Sequence, residues 1–433
     1  MSNRTIKVEA LTRVEGEGGL YVQLDGDQVQ DVKLSIYEPP RFFEAFLRGR
    51  KLEEVPDITA RICGICPVAY QMSSTHALEA ALGVKITPEI RRLRRLLYCA
   101  EWIESHALHM HLLHAPDFLG FHGVPDMAAH FPNEVNRGLR LKKHGNELLD
   151  VLGGRAIHPI NVCVGGFYRA PKTEELTRLL PDFEWGLEAA EEATRWVTTL
   201  EFPDFNRPYD MVALKHPDEY AMNEGRVAST NGLSIDVREY EQHFEERHVE
   251  HSTALHSVQQ ANDASYHVGP LARVNLNLDQ LSPRAKRLVD EVNIDWPCWN
   301  PFQAIVARGI ELVHAYEEAI EIIRDYQQVK PSRITYTPHA GFGCAATEAP
   351  RGLIYHRYEV DRDGKIVFAK IVPPTSQNQQ QIEDDLRDWL PRIIVDDDEQ
   401  TALDCEKLIR CYDPCISCST HFLRLTIDRG NPG

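Results

Sequence analysis

The chain opens with apolar residues at every second position, a pattern typical of β-strands. This alternation runs over 6–10, over 20–24 and, after the turn residues Gly26 and Asp27, over 29–36. Since a strand buries alternate side chains on one face, the pattern predicts a small antiparallel sheet at the start of the protein.

Apolar residues then recur at helical spacing over most of the chain. A short helix is predicted over 42–47, and a longer one from Pro67, which suits a first helical turn, to Gly83. Thr87 caps the next helix, whose apolar stripe continues almost to Pro116. Further helical patterns cover 133–152, 183–200, 282–292 and 301–326.

Alternation returns late in the chain. The segments 353–360 and 365–372, joined by Arg362-Asp363-Gly364, predict a hairpin, which a final helical stretch follows. Several long helices with small sheets at either end predict an α+β fold that is predominantly helical, with a central bundle of long helices.

The composition narrows the possible partners. The net charge of −18 argues against a surface for nucleic acid or anionic membranes. No apolar run reaches the roughly 18 to 20 residues that a membrane span requires, and 1–4 lead into strand-like sequence without a signal-peptide core. We therefore expect a cytoplasmic protein without direct membrane insertion.

Two C-x-x-C pairs lie near opposite ends of the chain: Cys63 with Cys66, and Cys415 with Cys418. The pairs of a structural zinc ribbon usually lie only about 12 to 20 residues apart. Here most of the chain separates them, so the whole fold must close before the four sulfurs meet. Four thiolates suit soft metals, and a chain with ample material for a core is expected to use its metal for chemistry.

The remaining cysteines show no ligand spacing, and in an intracellular protein we expect them to be reduced, buried side chains. They are Cys99, Cys163, Cys298, Cys344, Cys405 and Cys411. The group His106, His109, His111 and His114 is spread around a helix, a distribution that disfavours metal binding.

The motifs R-I-C-G-I-C at 61–66 and D-P-C-I-S-C-S-T-H at 413–421 resemble those of the large, catalytic subunit of nickel-iron hydrogenases. The resemblance extends, in family order, to five further blocks: R-V-E-G at 13–16, F-E at 43–44 with L-R-G-R at 47–50, P-D-F at 116–118, G-P-L-A-R at 269–273 and E-A-P-R-G at 348–352. It implies the large-subunit fold and one interlocked catalytic body over 1–433. The expected parts are a β-rich part at 1–50, a helical core at 60–330, a hairpin and metal-binding part at 335–421, and a tail at 422–433.

The resemblance also implies residue roles. Cys63 and Cys415 would bind nickel terminally, while Cys66 and Cys418 would bridge nickel and an iron that carries carbon monoxide and cyanide. Further roles are implied for Glu15 as proton relay from a terminal cysteine, Arg351 as a guanidinium over the open side of the metals, Asp117 and Asp413 as the carboxylates that orient it, and Thr375 as a hydrogen-bond donor to cyanide.

Glu44 and His421 match the pair that binds magnesium or a related cation in this family. A maturation protease commonly removes a tail after this histidine, so 422–433 is either cleaved or kept as an ordinary terminal element. One departure is Tyr70, which stands where many members have a histidine that hydrogen-bonds a cysteine sulfur. Tyr70 or His76 would have to supply that donor.

Electrons need a partner, because no remaining cysteine group suits an iron-sulfur cluster. The resemblance implies an iron-sulfur small subunit. The blocks at 158–162 and 165–171 are most similar to cytoplasmic hydrogenases coupled to NAD(P) through flavin-containing diaphorase subunits. Two alternatives stay open: a complex I-like core subunit, which would lack the cysteines, and a four-cysteine zinc or iron-sulfur protein with a structural or redox-sensing role.

Overall fold

The computed structural model of the protein describes residues 3–25, 28–38, 42–394 and 397–420. Within these residues the chain combines long helices with small antiparallel sheets, as predicted. The strands are β1 Asn3–Val8, β2 Gly18–Asp25, β3 Gln28–Ile36, β4 Val162–Cys163, β5 Gly166–Phe167, β6 Val212–Lys215, β7 Arg226–Ser229, β8 Ser234–Ile235, β9 Phe244–Val249, β10 Ser252–Gln259, β11 Gly341–Ala349, β12 Gly352–Val360 and β13 Ile366–Val372.

The α-helices are α1 Phe43–Leu47, α2 Val55–Thr59, α3 Pro67–Leu82, α4 Pro88–Leu108, α5 Ala115–Phe118, α6 Val124–His130, α7 Pro132–Gly153, α8 Thr173–Thr177, α9 Leu180–Val197, α10 Tyr240–His243, α11 Pro270–Asn277, α12 Pro283–Glu291, α13 Ala304–Asp325, α14 Pro374–Ile393, α15 Asp398–Cys411 and α16 Ile416–Ser419. Short 3₁₀ turns cover Leu52–Glu54, Ala60–Ile62, Val237–Glu239, Leu278–Gln280 and Pro301–Gln303. The fold is organised around the longest of these helices.

The long helices α4, α7, α9 and α13 form the predicted bundle. α4 packs against α7 and α13, and α9 packs against α13. Thr87 caps α4 as expected, since its Oγ1 accepts the Ile90 N–H at 3.3 Å. The helix predicted almost to Pro116 is an α-helix only to Leu108, and a π-helical segment, His109–His114, continues it into α5. The helix predicted from 301 likewise begins as a 3₁₀ turn.

One three-stranded sheet precedes the bundle helices in the chain, and another follows them. The N-terminal sheet has the order β1-β2-β3, as predicted, and its buried side chains share a core with α14 and α15. The predicted late hairpin is β12 with β13, but a third strand, β11, pairs with β12 and packs against α3. β11 was missed because its sequence, G-F-G-C-A-A-T-E-A, has few large apolar residues.

The largest core joins residues from across the chain and contains all four cysteines of the two pairs. The first and last parts of the described chain also meet directly. Glu15 forms an isolated β-bridge with Cys415. Ala254, from the middle of the chain, forms another with Thr420. Among the described residues, no helix has the length and apolar character that crossing a bilayer demands.

Candidate metal centre

The four cysteine sulfurs of the two pairs converge. Cys63 Sγ lies 3.4 Å from Cys415 Sγ, and Cys415 Sγ lies 2.6 Å from Cys418 Sγ. One sulfur from each of the four residues, including Cys66, lies within 4.8 Å of the others. All four side chains are buried, and none forms a disulfide. The fold therefore closes on a compact pocket of four free thiols.

The first pair sits where a 3₁₀ turn leads into α3. The backbone N–H groups of Ile65 and Cys66 donate to Cys63 Sγ at 3.3 and 3.2 Å. Cys66 is the residue before Pro67, the first residue of α3. The tight turn thus holds both sulfurs on one side of the chain.

A buried carboxylate fixes the helix that follows this pair. Glu101 on α4 accepts the N–H of Val68 at 2.6 Å and of Ala69 at 3.1 Å, two donors that the first turn of a helix leaves unpaired. Burial raises the pKa of Glu101 well above its ordinary value. Sequence analysis missed Glu101, although a lone carboxylate between Ala100 and Trp102 on an apolar helix face was a usable signal.

The second pair is held by the R-V-E-G block. Ile416 N–H donates to the Glu15 carbonyl at 2.8 Å, and Ser417 N–H donates to Glu15 Oε2 at 3.1 Å. Gly16 has φ +91°, and a Cβ there would lie 2.7 Å from Ile416 Cβ. Only glycine permits this approach, so the block is shaped to carry Glu15 against the second cysteine pair.

Glu15 reaches a sulfur of the cluster. Its Oε2 accepts a hydrogen bond from Cys415 Sγ at 3.2 Å. Ser417, whose N–H donates to this carboxylate, also donates its hydroxyl to Glu38 Oε1 at 3.1 Å. The structure therefore brings Glu15 to the cysteine that the resemblance assigns as a terminal ligand.

Arg351 and Asp413 form a buried pair beside the thiols. Arg351 Nε donates to the Asp413 carbonyl at 2.7 Å, and Nη2 donates to Asp413 Oδ1 at 3.0 Å. Burial opposes the charged form, but Asp413 and nearby cysteines hold the pKa of Arg351 above its ordinary value. Nη1 has no hydrogen-bond partner among the described residues. One donor of a permanently charged group thus remains available inside the site.

Arg308 on α13 is a second arginine of this site that sequence analysis missed. Its Nη1 lies 3.3 Å from Asp413 Oδ2, and its Nε and Nη2 have no partner among the described residues. Burial lowers the pKa of Arg308 to about 10. The signal was a single charge within the apolar run Ala304 to Ile310.

The hydrogen bonds and ion pairs among the described residues do not include the predicted contact between Asp117 and Arg351. The Asp117 carboxylate accepts hydrogen bonds from Arg13 and from both Nε and Nη2 of Arg410, at 2.7 and 2.8 Å for the latter two. Arg13 belongs to R-V-E-G and adopts φ +55°. Through Arg13, Asp117 therefore supports the block that carries Glu15.

Three other predicted residues are placed as follows. Thr375 Oγ1, at the start of α14, accepts the Cys415 N–H at 3.0 Å. Glu44 Oε1 accepts the Ile371 N–H at 2.8 Å and lines a cavity of about 340 Å³ that Cys418 also borders. His421 lies outside the described residues, as does the tail. A Glu44–His421 cation site therefore stays a prediction.

Tyr70, and not His76, faces the cysteines. Tyr70 lies in the first turn of α3, four residues beyond Cys66, and is fully buried. Burial and the four cysteines raise the pKa of Tyr70 well above its ordinary value, and its hydroxyl has no partner among the described residues. His76 instead lies beside Glu79, with its Nδ1 3.9 Å from Glu79 Oε2.

A buried charge network connects two of the motifs. Arg273 of G-P-L-A-R donates to both oxygens of Glu311 at 2.7 Å and to Glu348 of E-A-P-R-G at 3.1 Å. The same guanidinium donates to the Pro350 carbonyl at 3.0 Å, next to Arg351. This network fixes the loop that presents Arg351.

The pocket fits a cationic metal centre. Burial raises the pKa of the Cys415 and Cys418 thiols well above the ordinary value of a thiol, so burial alone disfavours their thiolate forms. A bound cation would offset that cost and hold the sulfurs as thiolates. The free donor on Arg351 adds a hydrogen-bonding position for a ligand of such a centre.

Comparisons with known proteins agree with this geometry. The family model for nickel-dependent hydrogenase matches residues 41–131 and 260–421. The chain belongs to the nickel-dependent hydrogenase family. It is 35% identical to sulfhydrogenase 1 subunit alpha of Pyrococcus furiosus, over 97% of this chain and 98% of that protein.

Two further relatives concern NAD-linked enzymes. The chain is 28% identical to the NAD-reducing hydrogenase HoxS subunit beta of Cupriavidus necator, over 97% of this chain and 95% of that one. It superposes on a chain of an NAD⁺-reducing [NiFe]-hydrogenase in the H2-reduced state with a TM-score of 0.88 and 27% identity, covering 96% and 99% of the two chains.

The protein is thus the catalytic large subunit of a nickel-iron hydrogenase, with the large-subunit fold that the motifs predicted. The complex I-like alternative and the zinc or iron-sulfur alternative are not supported.

Proposed function

We propose that this subunit cleaves H2 reversibly into protons and electrons at a nickel-iron centre held by its four convergent cysteines. Cys63 and Cys415 would bind nickel terminally, and Cys66 and Cys418 would bridge nickel and iron. When bound, the centre would supply the heterolytic cleavage of H2. The observation that carries the proposal is the convergence of four free buried sulfurs with Glu15 at one of them.

Glu15 would move the proton. Its Oε2 lies 3.2 Å from Cys415 Sγ, within the range for direct transfer. The Ser417 N–H keeps the carboxylate in place, and the Ser417 hydroxyl leads to Glu38, a partly exposed carboxylate. This chain of contacts supports a route from the sulfur toward solvent.

Arg351 would lie over the open side of the centre, where it would bind and orient the ligands of the metals. Asp413 holds the guanidinium through two hydrogen bonds, and the unpartnered Nη1 would donate to a metal-bound cyanide and would face H2 approaching the site. Thr375 already accepts the Cys415 N–H, which leaves its own hydroxyl proton for a second cyanide. Carbon monoxide would complete the iron shell.

We further propose a magnesium or related cation between Glu44 and His421. A carboxylate is a suitable ligand for such a hard ion. The position of Glu44 beside a cavity that Ser419 and Thr420 also line supports this, because the chain leads from there into His421.

Electrons would leave to an iron-sulfur small subunit and then to NAD(P) through flavin-containing diaphorase subunits. Among the described residues, the cysteines outside the site are not part of any metal-binding group. The names of the Cupriavidus necator relative and of the solved structure support NAD coupling. Cytoplasmic location follows from such coupling, and a maturation protease would act if 422–433 are cleaved.

The test is isolation of the native complex under anaerobic conditions. We expect one nickel per catalytic subunit, iron in excess of nickel because the partner subunits carry iron-sulfur clusters, infrared bands of carbon monoxide and cyanide, and reduction of NAD⁺ or NADP⁺ by H2. Zinc alone in the cysteine pocket would refute the metal assignment. Normal H2 oxidation with artificial acceptors but no reaction with NAD⁺ or NADP⁺ would refute only the proposed carrier.

A further inference from the structure

A second cluster of metal-binding side chains lies outside the cysteine pocket. His251 is in the turn between β9 and β10, His256 is on β10, and Glu383 is on α14. One ligand atom from each lies within 4.8 Å of the others. His256 is 1% exposed and Glu383 is 2% exposed, so two of the three groups are deeply buried.

The ring of His256 has one nitrogen without a partner. Its Nδ1 lies 3.4 Å from Gln380 Oε1, which only accepts hydrogen bonds, so Nδ1 carries the proton. Nε2 is then a lone-pair nitrogen, and it has no hydrogen-bond partner among the described residues. Leaving such an acceptor buried and unsatisfied is costly, and a metal ion would use it.

Glu383 is already held in place for binding. Its Oε1 accepts the Leu34 N–H at 2.9 Å and lies 2.8 Å from His251 Nε2, while Oε2 lies 3.5 Å from Arg387 Nη2. These contacts fix the carboxylate without the help of an ion. A cation would take the place of the proton that His251 and Glu383 share.

The backbone directs these groups to one point. The pairing of β9 with β10 shifts register between Ser252 and His256, and such irregularities change the direction of a side chain. The cluster links this hairpin to β3 and α14. Thr375 of α14 accepts the Cys415 N–H, and Ala254 of β10 pairs with Thr420. The two elements that carry His256 and Glu383 therefore also contact the segment of the second cysteine pair.

We propose that His251, His256 and Glu383 form a second metal site, which binds a zinc-like divalent cation in a structural role. Two imidazoles with one carboxylate suit zinc and neighbouring d-block ions, whereas magnesium and calcium prefer oxygen ligands. The competing explanation is an ion pair between His251 and Glu383 without any metal.

The experiment uses the intact hydrogenase complex, dialysed against a chelator and then supplied with Zn²⁺ alone. We expect one additional zinc per catalytic subunit, with only nitrogen and oxygen neighbours at about 2.0 Å in zinc-edge X-ray absorption. His256→Gln and Glu383→Gln should each weaken binding at least tenfold, with nickel and iron contents unchanged. Glutamine at 383 keeps an acceptor for the Leu34 N–H.

Two controls keep the test decisive. His251→Gln changes a partly exposed turn residue and should also weaken zinc binding. This variant keeps the test usable if either buried variant fails to fold. His339→Gln alters an exposed histidine and should leave binding unchanged. No additional zinc, equal zinc in all variants, or sulfur neighbours at about 2.3 Å would overturn the proposal.

Discussion

Glu15 Oε2 accepts a hydrogen bond from Cys415 Sγ at 3.2 Å, although the two residues are 400 positions apart in the chain. The contact depends on the bridge between their backbones and on Gly16, which leaves room for Ile416. A carboxylate beside the proposed nickel ligand Cys415 is positioned to receive a proton, so its replacement should separate proton transfer from metal binding.

Replacing Glu15 with Gln should leave nickel and iron in place and lower H2 turnover about 10² to 10⁴-fold, because the amide cannot accept and pass on a proton. H/D exchange should fall in parallel. Glu17→Gln, at an exposed position one residue beyond Gly16, is the matched control and should be fully active. Undiminished exchange in Glu15→Gln would mean that protons take another route.

Cys66→Ser and Cys415→Ser should each abolish H2 uptake, because a hydroxyl is a poor ligand for nickel and iron at these positions. Metal analysis of the purified variants should show the loss of nickel. The infrared bands of carbon monoxide and cyanide should disappear with the iron of the site, while iron in the partner's clusters remains. Cys344→Ser, outside the cluster, should retain both metals and activity. Normal nickel content in either site variant would contradict the ligand assignment.

Arg351→Lys should keep the metals but lower turnover at least about 10²-fold, because the donors of an ammonium all lie on one nitrogen and cannot reproduce the planar fork that holds Asp413 with Nε and Nη2 and presents Nη1 to the site. The Michaelis constant for H2 and the infrared bands of cyanide should both change. Arg362→Lys, in the exposed turn between β12 and β13, should behave as wild type. Unchanged cyanide bands would place Arg351 away from the centre.

Tyr70→Phe should shift the infrared bands of carbon monoxide and cyanide to lower wavenumber, because the thiolates would lose a hydrogen-bond donor and give more electron density to the metals. Little stability should be lost, since the hydroxyl has no protein partner among the described residues. Tyr98→Phe removes a second buried hydroxyl, and its bands should stay at the wild-type positions. Wild-type band positions in Tyr70→Phe as well as in Tyr98→Phe would argue against a donor role for the Tyr70 hydroxyl.

His356 should contribute to the pH dependence of stability. Burial lowers its pKa to about 3 from 6.5, so the folded chain keeps the imidazole neutral while the unfolded chain binds a proton below about pH 6.5. The contribution is present above pH 6.5 and is lost as the pH falls toward 3, at up to about 1.4 kcal/mol per pH unit.

His356→Gln should therefore make the thermal midpoint fall less steeply between pH 6.5 and 5 than in the wild type. His339→Gln, at an exposed site, should follow the wild-type curve. Parallel curves for His356→Gln and wild type would mean that His356 becomes protonated in the folded chain over this range. The measurement is a series of thermal unfolding scans at fixed pH.

Much of the fold was predictable because local patterns reflect local physics. The bounds of α7 and the order of the N-terminal sheet followed from periodicity and turn residues. The π-helical segment and β11 were missed, since neither has a distinctive apolar pattern and both depend on packing against other elements.

The sequence by itself determined the family, the ligand type and the need for the chain to close on itself, because two motifs of soft ligands at opposite ends carry that information. Only the tertiary structure decided which charges meet. It paired Asp117 with Arg13 and Arg410, and it brought Glu101 and Arg308 to the site. The physical reason is that a buried charge is stable only beside its partner, and partners distant in sequence are chosen by packing.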